Sequence, residues 1–295
     1  MDLKTALRLG ARVLLPRPQF ADPRVSIYRL APLSRFLVTI STRFDDLSVV
    51  GGGAGTNPFG ALLKAVAECG EVVVARKCGL SHRSGIAAGL SSDATVRRAK
   101  DELLERDAFL FHYRNQVPLR PLESSLAQAA GCDLFALDLA DSSRKGCLAL
   151  LRREFSPSEG SCLVFGTGVG KNENDAATRA ISEALTLKLR HELDSKWCRT
   201  HHAVSNENRS GPDFHHFASR DPRNLATFER LASGRPLQAS PKPRTLTGSF
   251  AVVSEVSPVR PFKFARVTHD GLESIEFDGP EPSCDANNPL YHPFW

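Results

Sequence analysis

The sequence predicts an α+β fold, with mixed sheets flanked by helices. Three observations predict it. Residues 25–44, VSIYRLAPLSRFLVTISTRF, alternate apolar and polar positions as strands do. Two later stretches, beginning at Pro58 and near Asp93, switch to helical spacing. Strands and helices do not follow one another in the regular order that a doubly wound parallel sheet requires.

Taken in order, the first twenty residues, MDLKTALRLGARVLLPRPQF, are basic and partly apolar. Arg8, Arg12 and Arg17 break the apolar patches and no small-residue cleavage site is clear, so this stretch reads as folded protein rather than a signal peptide. Within 25–44 the neighbourhood of Pro32 and Ser34 marks a turn between two strands. GGGAGTNP at 51–58 reads as a flexible loop. Pro58 suits a helix start, where its missing N–H is no loss, and Leu62, Ala65, Val66, Cys69 and Val73 give that helix an apolar side.

Residues 79–90 return to loop and short strand, and Ser91 or Ser92 can cap a helix from about Asp93 to Arg114. Strand and helix pieces fill 118–165, ending in a strand and turn, CLVFGTGVG. A helix follows at about 173–196. Residues from about 197 to 247 read as a long loop-rich insertion with short helices such as LATFERLA. Strands return at 249–256 and 263–268, and a Pro-rich tail closes the chain at 279–295. The whole of 1–295 is read as a single domain, within the range one domain can span.

Composition narrows the function classes. The chain has 41% hydrophobic and 24% charged residues and a formal net charge of +5, ordinary values for a globular protein. It lacks the dense Lys/Arg tracts of a nucleic-acid binder, so no nucleic-acid partner is expected. No apolar run approaches the ~18 residues of a membrane span. Seven cysteines, an odd number without a C-x-x-C pair, fit a reducing compartment, and a cytoplasmic location is expected.

The chemistry lies in repeated acidic spacing. Glu68-x-x-Glu71 and Glu102-x-x-Glu105 recur 34 residues apart. Residues three apart share a helix face, so each pair points two carboxylates the same way. Two carboxylates about 5 Å apart repel by roughly 3 kcal/mol at an effective dielectric near 20. Gathered in one cleft they take up protons or a cation, and Mg²⁺ with phosphate oxygens is a natural partner for such a set. Arg106 beside them suits a phosphate. A single E-x-x-E is ordinarily a solvated helix face; what decides is the surrounding sequence.

RSGIAAGLSSDATVRRAKDELLERDAF, at 83–109, resembles the signature segment of the YcaO superfamily, in which a Ser-Asn-Gly-Leu-Ala-Ala-Gly-like stretch leads into a helix ending Glu-Leu-Ile-Glu-Arg-Asp-Ala. GGGAGTNPFGALLKAVAECGEVV is similar to the family's first motif, a Gly-rich loop followed by Ser-x-x-x-Glu-x-x-Glu-Arg. FGTGVGKNENDAATRAISEALTLKLR is similar to its third, a Gly-rich strand end followed by Thr-Glu-Ala-x-Gln-x-Arg, and NPLYHPFW resembles the Pro-rich C-terminus of azoline-forming members. The segments occur in the family's order and cover most of residues 50–295.

The resemblance implies a cyclodehydratase that uses ATP and Mg²⁺ to activate backbone amides of a ribosomal precursor peptide, forming thiazoline or oxazoline rings. It places Glu68, Glu71, Glu102, Glu105 and Glu183 as ligands of Mg²⁺ and contacts of the nucleotide, joined on the nucleotide side by Lys64, Ser84 and Arg106. It gives Trp295, with His292 beside it in the tail, the catalytic role that the family assigns to its C-terminus. It implies partners too: an FMN-dependent dehydrogenase, an E1-like peptide-recognition protein, or both.

The departures are specific. Lys64 and Val72 stand where the first motif has Ser and Arg, and Thr186 and Lys188 where the third has Gln and Arg. Ser84 runs directly into Gly85 without the intervening Asn, and Trp295 replaces the final Pro. They admit an alternative: a degenerate YcaO-like subunit, ATP-independent or non-catalytic, that scaffolds a dehydrogenase and the precursor peptide. Three further features receive bland readings. GTGVG at 166–170 lacks the Walker Lys-Ser/Thr and reads as a tight turn. His201, His202, His215 and His216 have no cysteine at finger spacing and read as loop histidines. Ser84 lacks a G-x-S-x-G frame, which leaves it a structural or nucleotide-contacting serine.

Overall fold

The computed structural model describes residues 2–15, 19–30, 33–80, 84–154, 161–201, 222–234 and 245–272. These form two compact units. One takes in the described residues of Met1–Leu103 and Thr247–Leu272, the other those of Leu104–Leu246.

In the first unit, helix α1 (Leu3–Leu14) is capped by Asp2, whose side chain accepts the Thr5 N–H. Strands β1 (Arg24–Leu30), β2 (Arg35–Phe44) and β3 (Leu47–Gly55) form an antiparallel meander in the order β1-β2-β3. The expected turn falls between β1 and β2, with Ser34 at φ 50°, and Asp45 turns the next hairpin at the same φ. Helix α2 (Pro58–Lys77) starts at the predicted proline, with Asn57 accepting the Gly60 N–H. Arg76 and Lys77 in its last turn complement the helix dipole.

The glycines at 51–55 are strand, not loop. They form the second half of β3, paired in register with Phe36–Ile40 of β2. The reason is steric. A Cβ on Gly51 would stand 2.2 Å from the Ala65 carbonyl oxygen, and one on Gly53 2.1 Å from that of Ala61. Glycine here lets a helix backbone lie directly on a strand. A core cluster seals the contact. It includes Leu7 and Ala11 of α1, Val38 and Ile40 of β2, and Leu62, Val66 and Cys69 of α2, all essentially inaccessible.

A second sheet in this unit has the order β4-β10-β9, built from β4 (Ile86–Gly89), β9 (Ala251–Glu255) and β10 (Lys263–Thr268), again antiparallel. Strand β4 is entirely buried, and Gly85 before it sits at φ 75°, where a Cβ would meet the Val267 carbonyl at 2.3 Å. That close approach accounts for a glycine directly after Ser84.

Helix α3 (Ser92–Asn115) runs across the division between the units, with Ser91 accepting the Ala94 N–H at its start. In the second unit β5 (Arg120–Leu122), β6 (Asp133–Leu137), β7 (Lys145–Glu154) and β8 (Ser161–Gly170) make an antiparallel sheet in that order, with the short α4 (Ser125–Ala130) between β5 and β6. GTGVG, expected as a tight turn, is the end of β8, paired with Lys145–Ala149 of β7. Helix α5 (Glu173–His201) lies on β8 and continues past the predicted end to His201, so that histidine is helical rather than in a loop. Helix α6 (Pro222–Ala232) contains the expected LATFERLA helix.

Phe109 of α3 stacks on Phe165 of β8 at 5.0 Å, and Phe228 of α6 packs tilted against both at 6.1 and 5.3 Å, anchoring this core. His112, nearly inaccessible, bridges the end of α3: Nδ1 donates to the Val117 carbonyl at 3.1 Å, and Nε2 accepts the Asp138 N–H at 3.0 Å. His202, His215, His216, His292 and Trp295 lie outside the described residues.

Candidate functional site

The first unit places two of the predicted glutamates on strand amides. Glu68 reaches from α2 to β3, where Oε2 accepts the Gly52 N–H at 2.6 Å. Glu71, one turn later, reaches β4, where Oε1 accepts the Ala88 N–H at 2.8 Å. A carboxylate held by a backbone donor gains a charge-assisted bond and a fixed direction. The pair therefore shares a helix face, as the spacing requires, but its members serve different strands.

Ala88 is held at both ends. Its carbonyl accepts Arg98 Nη1 of α3 at 2.7 Å. Lys64 Nζ donates to the Ala54 carbonyl at 2.8 Å. Ser84 is buried at the entry to β4, and Glu102 is half-buried on α3. Val72, at the position of the family's arginine, packs against the apolar core.

In the second unit Glu105 and Glu183 meet. Glu105 Oε1 accepts the Thr167 hydroxyl at 2.6 Å. Glu183 Oε2 accepts the Thr167 N–H at 2.7 Å and stands 3.3 Å from the same hydroxyl oxygen. Thr167 itself is buried. Arg106, half-buried, follows Glu105 directly on α3. Thr186, in place of the family's glutamine, turns its hydroxyl back onto the Ser182 carbonyl at 2.8 Å.

The two seats are built alike. Shifted by 115 residues, Gly51, Gly53, Gly55, Asn57, Ala61, Ala65 and Glu68 become Gly166, Gly168, Gly170, Asn172, Ala176, Ala180 and Glu183. The contacts repeat with the letters. Asn172 accepts the Asp175 N–H as Asn57 accepts that of Gly60. A Cβ on Gly166 would stand 2.3 Å from the Ala180 carbonyl, as one on Gly51 would crowd that of Ala65. Each glutamate closes on the strand amide one residue after the first glycine. Thr167, which sequence reasoning passed over, occupies the place of Gly52, and this internal repeat is the signal that could have found it.

The donors at Thr167 in the second unit are carboxylate and hydroxyl oxygens, the hard ligands that suit Mg²⁺. Among the described residues no three or more His, Cys, Asp or Glu are grouped as a metal cage. Mg²⁺ characteristically takes one or two carboxylates and completes its shell with phosphate and water, so the residues present fit it.

Against solved structures, the chain is similar over 91% of its length to YcaO from Methanopyrus kandleri bound with AMPPCP and Mg²⁺, with TM-score 0.56, 14% identity and 90% of that chain covered. It is also similar to a chain of the E. coli microcin synthetase McbBCD complex, with TM-score 0.53 and 10% identity. The same complex with pro-MccB17 bound gives TM-score 0.54 and 11% identity. Each of these two comparisons covers 84% of this chain and 87% of the other. No family model and no curated protein matches. Identities this low establish architecture alone, and that architecture is the α+β fold of the YcaO superfamily.

Proposed function

We propose that the chain is a YcaO-type peptide cyclodehydratase that uses Mg-ATP. The observation that carries this reading is the meeting of Glu105 and Glu183 at Thr167. Two carboxylates at one buried hydroxyl are hard oxygen donors of the kind Mg²⁺ takes, and a YcaO of the same fold is bound with AMPPCP and Mg²⁺.

In this reading a Cys, Ser or Thr side chain of a ribosomal precursor peptide adds to the preceding backbone carbonyl carbon. When bound, Mg-ATP supplies the phosphoryl group that makes the former amide oxygen a leaving group; the amide nitrogen loses its proton as the ring C=N forms. Glu105, Glu183, Glu68, Glu71 and Glu102 hold the cation and set the phosphates. Lys64, Arg106 and Ser84 contact the phosphate side. The protein's contribution is position and charge stabilisation. Trp295 and His292 are proposed to assist proton transfer at the peptide. An E1-like recognition protein or an FMN-dependent dehydrogenase is proposed as partner, and the likeness to chains of the microcin synthetase complex supports an assembly of this kind.

The test is incubation of the purified chain with Mg-ATP, a precursor peptide and candidate partners. Phosphate release coupled to loss of one water per ring, abolished by Glu102→Gln, supports the reading. Ring formation unchanged without ATP rejects ATP dependence. An unmodified peptide under every condition favours the scaffold instead.

A further inference from the structure

Among the described residues strand β4 lies at the edge of its sheet, paired with β10. In an antiparallel strand a residue's N–H and C=O point to the same side. The Ala88 N–H goes to Glu71 at 2.8 Å and its carbonyl to Arg98 at 2.7 Å, so both side chains lie along the same open edge. Among the described residues they stand where a neighbour strand would pair. Arg98 is exposed on α3, although one of its nitrogens is pinned. A guanidinium carries five N–H donors in a rigid fork, and one bond to a carbonyl leaves other donors of that fork for a ligand.

Val72 removes the arginine of the first motif and spends its side chain on core packing. Lys64 offers only a point charge, and Nζ is already donating to the Ala54 carbonyl. Arg98 binds the same residue, Ala88, as Glu71, a candidate Mg²⁺ ligand.

We propose that Arg98 is the phosphate-binding arginine of this chain, clamping the polyphosphate of a nucleoside triphosphate beside Glu71. The inference rests on the Mg-nucleotide reading above. The Ala88 carbonyl holds the guanidinium, and the phosphate oxygens take its remaining N–H groups in a bidentate contact. Arg97, the adjacent exposed arginine, supplies a matched control: it removes the same charge without the anchor at Ala88.

The experiment is titration of the full chain with Mg-AMPPCP by calorimetry, with thermal unfolding recorded for each variant. Arg98→Ala should weaken binding by about 10- to 100-fold, the worth of a charge-assisted bond, while Arg97→Ala stays within about 2-fold of wild type. Arg98→Lys, which keeps the charge but not the fork, should fall between them. Wild-type affinity in Arg98→Ala, or an equal loss in Arg97→Ala, overturns the assignment. If Arg98→Ala does not fold, Arg98→Lys carries the test, and wild-type affinity in that variant overturns it. No binding by the wild-type chain sinks the Mg-nucleotide reading and this proposal together, whereas binding that ignores Arg98 sinks this one alone.

Discussion

Glu68 and Glu183 stand 115 residues apart and make the same contact: each reaches from a helix to the amide of a glycine-rich strand, at 2.6 and 2.7 Å. The equivalence extends through the capping asparagines and the alanines on which the strands rest. The chain thus builds one strand–helix device twice, and uses it each time to aim a carboxylate. In the second copy the strand residue is Thr167, and its hydroxyl adds Glu105 to the seat.

Thr167→Val should therefore separate folding from binding. Valine keeps the volume and the backbone N–H that Glu183 uses, but leaves Glu105 without its 2.6 Å donor. Loss of about 1–2 kcal/mol in stability is expected, with Mg-nucleotide affinity down by roughly tenfold. Thr167→Ser should restore both. Paired urea unfolding and nucleotide titration check this; unchanged affinity in the valine variant contradicts it.

Gly53→Ala should be much worse than its chemistry suggests. The added methyl would stand 2.1 Å from the Ala61 carbonyl and 2.5 Å from the Ala65 nitrogen, both backbone atoms that cannot yield cheaply. A loss of about 3 kcal/mol or more is expected, at the upper end for overpacking. Gly168→Ala, 2.5 Å from the Ala176 carbonyl, should behave alike. Gly79→Ala is the contrast: its φ is 69° but nothing lies within 4 Å, so only about 1–2 kcal/mol of backbone strain applies. Equal losses in urea unfolding at Gly53 and Gly79 would refute the close-packing account.

Cys132 and Cys147 are poor nucleophiles. Burial, helped by the Asp133 charge, pushes the Cys132 thiol up to about 11; burial with Glu173 pushes Cys147 up to about 12. The thiolate is the reactive form. Alkylation of Cys132 by iodoacetamide in the folded protein should keep rising with pH up to about 11, followed by peptide mass spectrometry. A plateau near the ordinary value of 9.0 would contradict it. The sign for stability follows. Below pH 9.0 both folded and unfolded thiols are protonated and folding is indifferent to them. Between there and about 12 the unfolded chain ionises first, so these two thiols weaken folding as pH rises.

Much of the architecture was legible. Pro58 marks the start of α2, residues 263–268 were placed on the strand they form, and the E-x-x-E spacing does put Glu68 and Glu71 on one helix face. The glycine runs were misread because composition cannot distinguish a glycine that turns a chain from one that admits a neighbouring backbone. Gly51, Gly53, Gly166 and Gly168 are of the second kind, and the carbonyls they admit, those of Ala65, Ala61, Ala180 and Ala176, come from the helix that follows each strand. The same blindness hid Thr167, which as part of a turn had no reason to meet a glutamate. The pairing of β4 with β10 joins residues 86–89 to 263–266, and no local signal specifies a partner so distant. Arg98 was invisible for that reason too: on a helix it is one more exposed arginine, and only the open edge of β4 gives it a task.

The central claim is that these carboxylates seat a Mg-nucleotide, and titration with AMPPCP in the presence and absence of Mg²⁺ tests it most directly. Wild-type chain should bind with Mg²⁺ and release the nucleotide when the ion is chelated, and Glu183→Gln should bind at least about tenfold more weakly. Binding that ignores both Mg²⁺ and Glu183, or no binding at all, would contradict the account.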